Sequence, residues 1–150
     1  MLLVDSEAPV ALQHRQGEPG TWRPWLHLGN REGDGWQKPA KADETDCHLM
    51  VQVMESWFLA DRASLKAYFG QDFKENQLPA RGNALEGIPK QSVHDSLANA
   101  TQGCNSKGTY GKGPHSFELL ALIDPAKVQE QSPWAKRFVE ETKKKMGVTS

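Results

Sequence analysis

Apolar positions in this chain come in short runs set between long polar stretches, and the first run is the simplest. Met1 to Val4 is continuously apolar and leads straight into Asp5-Ser6-Glu7. A run of that kind predicts a short strand inside a parallel sheet. His48 to Val53 predicts a second strand, and Met54 to Ala60 continues it with helical character, so that Glu55 falls at the strand-to-helix turn. Asp61 is placed to cap a helix from Arg62 to Phe69, whose apolar face is Leu65, Tyr68 and Phe69 and whose stop is Gly70. Val93 and Leu97, four apart, mark a short helix over Ser92 to Ala100, and Ser116 to Ile123 predicts an apolar helix. Asp124-Pro125 caps a short turn of helix and Ser132-Pro133 the last helix, whose buried face carries Trp134 and Phe138.

The polar stretches are as telling. Residues 13 to 46 are rich in glycine, proline, lysine and acids, and a loop of that length is either functional or disordered in a compact domain. Trp22, Trp25 and Trp36 argue against disorder, because indole rings anchor a segment to something. The stretch is expected to be an irregular, packed excursion. Residues 71 to 90 read as a connector, and Gly103 to Gly113 as a glycine-rich basic loop without the Lys-Ser/Thr pair of a nucleotide-binding loop. The sum is one α/β domain over 150 residues, with a small, partial sheet flanked by helices.

Charge removes some functional classes. Eighteen basic and nineteen acidic side chains leave a formal net charge of -1, so nucleic-acid affinity would have to come from local patches. Cys47 and Cys104 are too far apart in sequence for a zinc ribbon, and His27, His48 and His94 add no usual ligand spacing to them. No apolar run approaches the roughly 20 residues of a membrane span, and no basic segment precedes the first apolar run. A reduced cytoplasmic setting is expected.

The candidate chemistry lies at the ends of the strands. Residues two apart on an extended chain point to one side, so Asp5 and Glu7 are expected to hold one hard divalent cation such as Mg²⁺ or Mn²⁺ between them. Acids after a strand also commonly begin a solvated turn. Glu55, among Met54, Trp57 and Phe58, is expected near apolar surroundings, where an unpaired charge is costly. A metal, a salt bridge or a helix N-terminus would each answer that cost. Lys112 and His115, in Tyr110-Gly-Lys-Gly-Pro-His115, are the matching cationic candidates for a phosphate, against the plain reading of a flexible basic loop.

Four blocks together resemble the bacterial DUF4276 family: Leu2-Leu-Val-Asp5-Ser-Glu7-Ala-Pro-Val10, Trp25-Leu-His27-Leu28, His48 to Asp61, and Tyr110 to Pro125. That family is regarded as Toprim-like, and its members are often found beside ATPase genes in cassettes linked with antiphage defence. The resemblance implies a Toprim fold, in which a glutamate after the first strand and an acidic pair after a later strand bind Mg²⁺ for phosphodiester cleavage or transfer. Asp5 and Glu7 look like the acidic pair, with Glu in place of the usual second Asp. Glu55 is similar to an acidic position of related defence proteins, and Lys112 resembles a late lysine. Family members begin upstream with a further strand and glutamate, so the resemblance implies an N-terminally short form.

The expectation is therefore a Mg²⁺- or Mn²⁺-dependent nuclease subunit of an antiphage system. Asp5, Glu7 and Glu55 would bind metal, with Glu55 doubling as base, and Lys112 and His115 would hold the phosphate. The alternative is a noncatalytic adaptor that docks on an ATPase partner or on a second copy of itself through an exposed sheet edge and the tryptophan-bearing loop.

Overall fold

Two strands form a parallel pair, β1 (Leu2–Asp5) and β2 (Cys47–Met50), in the register Leu2 to Cys47 through Asp5 to Met50. The computed structural model describes residues 1–33 and 35–148. Around the pair are the helices α1 (Pro24–Gly29), α2 (Met54–Phe58), α3 (Arg62–Phe69), α4 (Lys90–Thr101), α5 (Lys112–Leu122), α6 (Pro125–Gln131) and α7 (Pro133–Lys145). The chain is thus α/β, as its pattern predicts.

Parallel strands need a crossover, and the long polar stretch supplies it. Three single turns of 3-10 helix (Leu12–Arg15, Pro19–Thr21, Glu44–Asp46) and α1 give it more regular structure than expected. Pro24 opens α1 at a position where a missing N–H costs nothing, but six residues are too few to show a helical period. Trp22 and Trp25 are buried as anchors, each donating its indole N–H to a carbonyl, those of Gly17 and Asp43. Trp36 is not; it stands at the surface.

The expected second strand ran to Val53, whereas the ladder stops at Met50. Gln52 explains the departure: its carbonyl accepts from Glu7 N at 2.8 Å, its Oε1 accepts from Lys90 N and its Nε2 donates to Glu86 O. The side chain draws its backbone toward the connector. α3 spans the expected residues, with Asp61 accepting from Ser64 N and Gly70 leaving at φ 87°. That Asp61 carboxylate also takes Asp124 N and Lys127 Nζ, so one acid joins α3 to α6. Burial alone would raise its pKa, but the Ser64 hydroxyl, the Asp124 and Ser64 N–H groups and Lys127 hold it at about 2. α5 begins four residues earlier than expected. Pro114 fits within its first turn, and the His115 ring caps Gly111 N, which lets the glycine-rich sequence run directly into helix.

Two cores result. The larger, built on Phe58, Leu65, Phe69, Leu97 and Leu119, joins α2 to α6; the smaller packs Trp22, Trp25, Leu28, Leu49, Val51 and Trp134 around the sheet. Between crossover and sheet lies Arg137 of α7, 1% exposed. Its Nε donates to Pro19 O, Nη2 to Glu44 O, and Nη1 to both Cys47 O and His48 Nδ1. Accepting there fixes His48 in its neutral form with the proton on Nε2, which donates to Thr45 O at 3.0 Å.

A second cation beside Arg137 is unfavourable. Burial first, then the guanidinium, pull the His48 pKa down from 6.5 to about 4. The folded protein therefore resists taking a proton that the unfolded chain accepts, so stability is whole above pH 6.5 and is lost as pH falls toward 4. Urea unfolding at pH 7.5 and 4.5 is expected to show a loss on the order of 2 kcal/mol from this residue, and His48→Gln should flatten the dependence. An unchanged pH slope in the variant would contradict the assignment.

Candidate functional site

Asp5 ends β1 with its carboxylate turned toward the start of α2. Oδ1 accepts from Met54 N at 2.8 Å, and Oδ2 lies 3.8 Å from Lys112 Nζ at the start of α5. Three elements remote in sequence meet at this one side chain. Its backbone carbonyl accepts from Arg31 Nη1 at 2.9 Å, and the Arg31 guanidinium lies over the Trp36 ring at 5.9 Å. Asp5, Glu7, Arg31, Trp36, Lys112 and Phe117 share the walls of one open cleft of about 460 Å³.

Glu7 reaches that cleft by another route than the one expected. The strand stops at Asp5, and Glu7 has φ 64°, in the left-handed region that side chains other than glycine seldom adopt. Strand alternation therefore does not govern where it points. Its Oε2 pairs with Lys90 Nζ at 2.9 Å, and hydrogen bonding to Lys90 holds its pKa below the ordinary glutamate value. Glu7 is a rim carboxylate.

Glu55 is fully buried. Oε1 accepts from the Tyr110 hydroxyl at 2.9 Å, while Oε2 is buried with no hydrogen-bond partner among the described residues. Tyr110 is itself fixed by its N–H, which donates to Thr101 Oγ1 at 2.7 Å. Burial and the neighbouring Glu55 raise the Tyr110 hydroxyl well above its usual range, so it stays a donor. Asp5 feels the same neighbour. Its pKa is raised, chiefly by burial and further by Glu55 and Glu7, against the lowering pull of Met54 N–H and Lys112. Two carboxylates and one phenol thus form an electrostatically coupled group beneath the cleft.

His115 stands apart from this group. Nδ1 accepts from Gly111 N at 2.9 Å and Nε2 donates to Lys107 O at 3.0 Å, which occupies both ring nitrogens. The ring packs against Tyr68, Phe69 and Tyr110 and does not line the cleft. What it does is shape the turn that presents Tyr110 and Lys112. The expected trio Asp5, Glu7 and Glu55 is likewise not drawn into one cage: among the described residues no three His, Cys, Asp or Glu side chains converge as metal ligands do. Arg31 in the cleft wall and Lys90, paired with Glu7 at its rim, lie outside the sequence motifs. Arg31 follows a short helix and Lys90 opens a long one, and neither position carries a local signal.

The defining pattern of the family described as domain of unknown function DUF4276 matches residues 1–142. The chain belongs to the DUF4276 family. No curated protein and no solved structure matches it. Among the described residues of this DUF4276 chain, no helix is long and apolar enough to cross a membrane.

Coupling between the two carboxylates has a direct readout. Replacing Glu55 with Gln removes the charge that helps to raise Asp5, so the Asp5 pKa is expected to fall in a carboxyl-carbon NMR titration. An unmoved Asp5 titration would separate the two groups.

Proposed function

We propose that the Asp5 cleft carries out cation-assisted phosphodiester cleavage, and that this DUF4276 chain is a Toprim-like, Mg²⁺- or Mn²⁺-dependent nuclease subunit of a bacterial antiphage system. The observation that carries the reading is the buried Glu55 oxygen without a hydrogen-bond partner, coupled to an Asp5 carboxylate whose pKa burial has raised. Such a pair is costly as it stands, and a cation or a proton relieves it.

The donor set suits a hard cation of this kind. Mg²⁺ commonly takes one or two carboxylates and completes its shell with water and substrate phosphate. Asp5 and Glu55 would hold it, with Glu7 available at the rim. When bound, the cation would polarise the phosphoryl group and lower the pKa of an attacking water. The chain's own residues do the rest. Lys112, 63% exposed by its side chain, would meet a phosphate oxygen from the cleft wall, and Arg31, in the same wall, would add a planar guanidinium. Tyr110 keeps Glu55 oriented and His115 keeps Tyr110 and Lys112 in place.

A second reading, the noncatalytic adaptor for an ATPase or a second copy, draws on α5, where Phe117 and Leu122 are largely exposed. Metal-dependent cleavage separates the two. Incubation with DNA and RNA in Mg²⁺ or Mn²⁺ is expected to show cleavage that Asp5→Asn reduces at least about a hundredfold and Lys112→Ala about tenfold. Equal cleavage by the native chain and Asp5→Asn, or none with either metal, would overturn the proposal.

A further inference from the structure

The walls of the Asp5 cleft carry a feature that cation-assisted hydrolysis does not itself require. Trp36 is 38% and Phe117 76% exposed, and both rings border the same opening as Lys112 and Arg31. Large apolar rings left in water at the mouth of a charged cleft call for an occupant with both apolar faces and negative charge. Nucleobases on a phosphate backbone have that combination.

A second hollow continues the first. It holds about 710 Å³, shares Glu7 and Arg31 with the Asp5 cleft, and is lined farther on by Lys90, Glu32, His14, His27 and Asn30. One trough therefore runs from Lys112 past Arg31 to Lys90. Along it the cations Lys112, Arg31 and Lys90 match the carboxylates Asp5, Glu7 and Glu32 in number, and the divalent ion of the proposed reading would tip the balance toward an anion.

We infer that this trough binds a single nucleic-acid strand, with unpaired bases stacked on Trp36 and Phe117 and the backbone led past Lys112, Arg31 and Lys90. The inference deepens the nuclease reading and rests on it for the direction of chemistry. Base pairing would deny both rings their stacking partners, so a duplex is a poor occupant. Stacking is tolerant of sequence because every base has a flat face, so discrimination between bases is weak.

The test is fluorescence anisotropy of the intact protein with labelled single-stranded DNA and RNA of about twelve nucleotides and with the matching duplexes, in Ca²⁺ and in chelator. Single strands are expected to bind at least about tenfold more tightly than duplexes, and Trp36→Ala and Phe117→Ala each to weaken binding about fivefold or more. Both are surface positions, and circular dichroism checks that the variants fold. Lys90→Ala should flatten the salt dependence by about 0.7 in log-log slope. Duplex binding as tight as single-strand binding, affinity indifferent to both rings, or no binding at all would overturn the inference; the last would leave the rings to a protein partner. Strand binding that Asp5→Asn leaves intact, in a protein that cleaves nothing, would sink the nuclease reading while leaving this one standing. Cleavage without dependence on the two rings would do the reverse.

Discussion

The bond from Asp5 to the Met54 N–H closes the end of β1 onto the start of α2, and the arrangement of the cleft follows from it. With β1 held there, Glu55 comes one residue later on α2, beneath Asp5 and out of water. Lys112 then approaches from α5 to meet the outer Asp5 oxygen. A carboxylate that caps a helix, faces another carboxylate and touches a lysine is pulled in opposite directions. Burial wins, which is why the Asp5 pKa rises despite the lysine.

The frame that keeps this geometry is provided from the other side of the sheet. Arg137 ties the crossover at Pro19 and Glu44 to β2 at Cys47, adding one buried guanidinium to the packing of Trp22, Trp25 and Leu28 that fastens this long excursion to the sheet. Breaking such a clamp would strand several carbonyls without donors, each costing about 1–3 kcal/mol. Trp134 packs beside it and carries the smaller core. Held at both ends in this way, the crossover carries Arg31 and Trp36 in the cleft wall.

Much of this was legible in the residues. Asp61, Gly70, Asp124 and Ser132 mark helix ends by local chemistry, and the structure uses each as its position implies. Asp5, Glu7 and Lys112 were recognisable as charged residues beside strands and glycines. Their pairings were not, because pairing depends on contacts across the fold: Glu7 turns to Lys90 through a left-handed residue, and Glu55 finds Tyr110 fifty-five positions away. His115, expected beside a phosphate, instead has both ring nitrogens engaged by its own loop for a related reason. A histidine beside a glycine loop looks available until the loop's own N–H and carbonyl groups claim both nitrogens. α1 carries no sequence signal because six residues show no period, and Trp36, grouped with Trp22 and Trp25 as an anchoring ring, stands instead at the surface against Arg31.

The proposed chemistry requires that Asp5 and the buried Glu55 together create a site for one hard cation. Mn²⁺ titration followed by water-proton relaxation measures that occupancy directly, without requiring any substrate. One Mn²⁺ site is expected in the native chain, competed by Mg²⁺ and lost in both Asp5→Asn and Glu55→Gln. Undiminished Mn²⁺ binding in those variants, or none in the native chain, would contradict it.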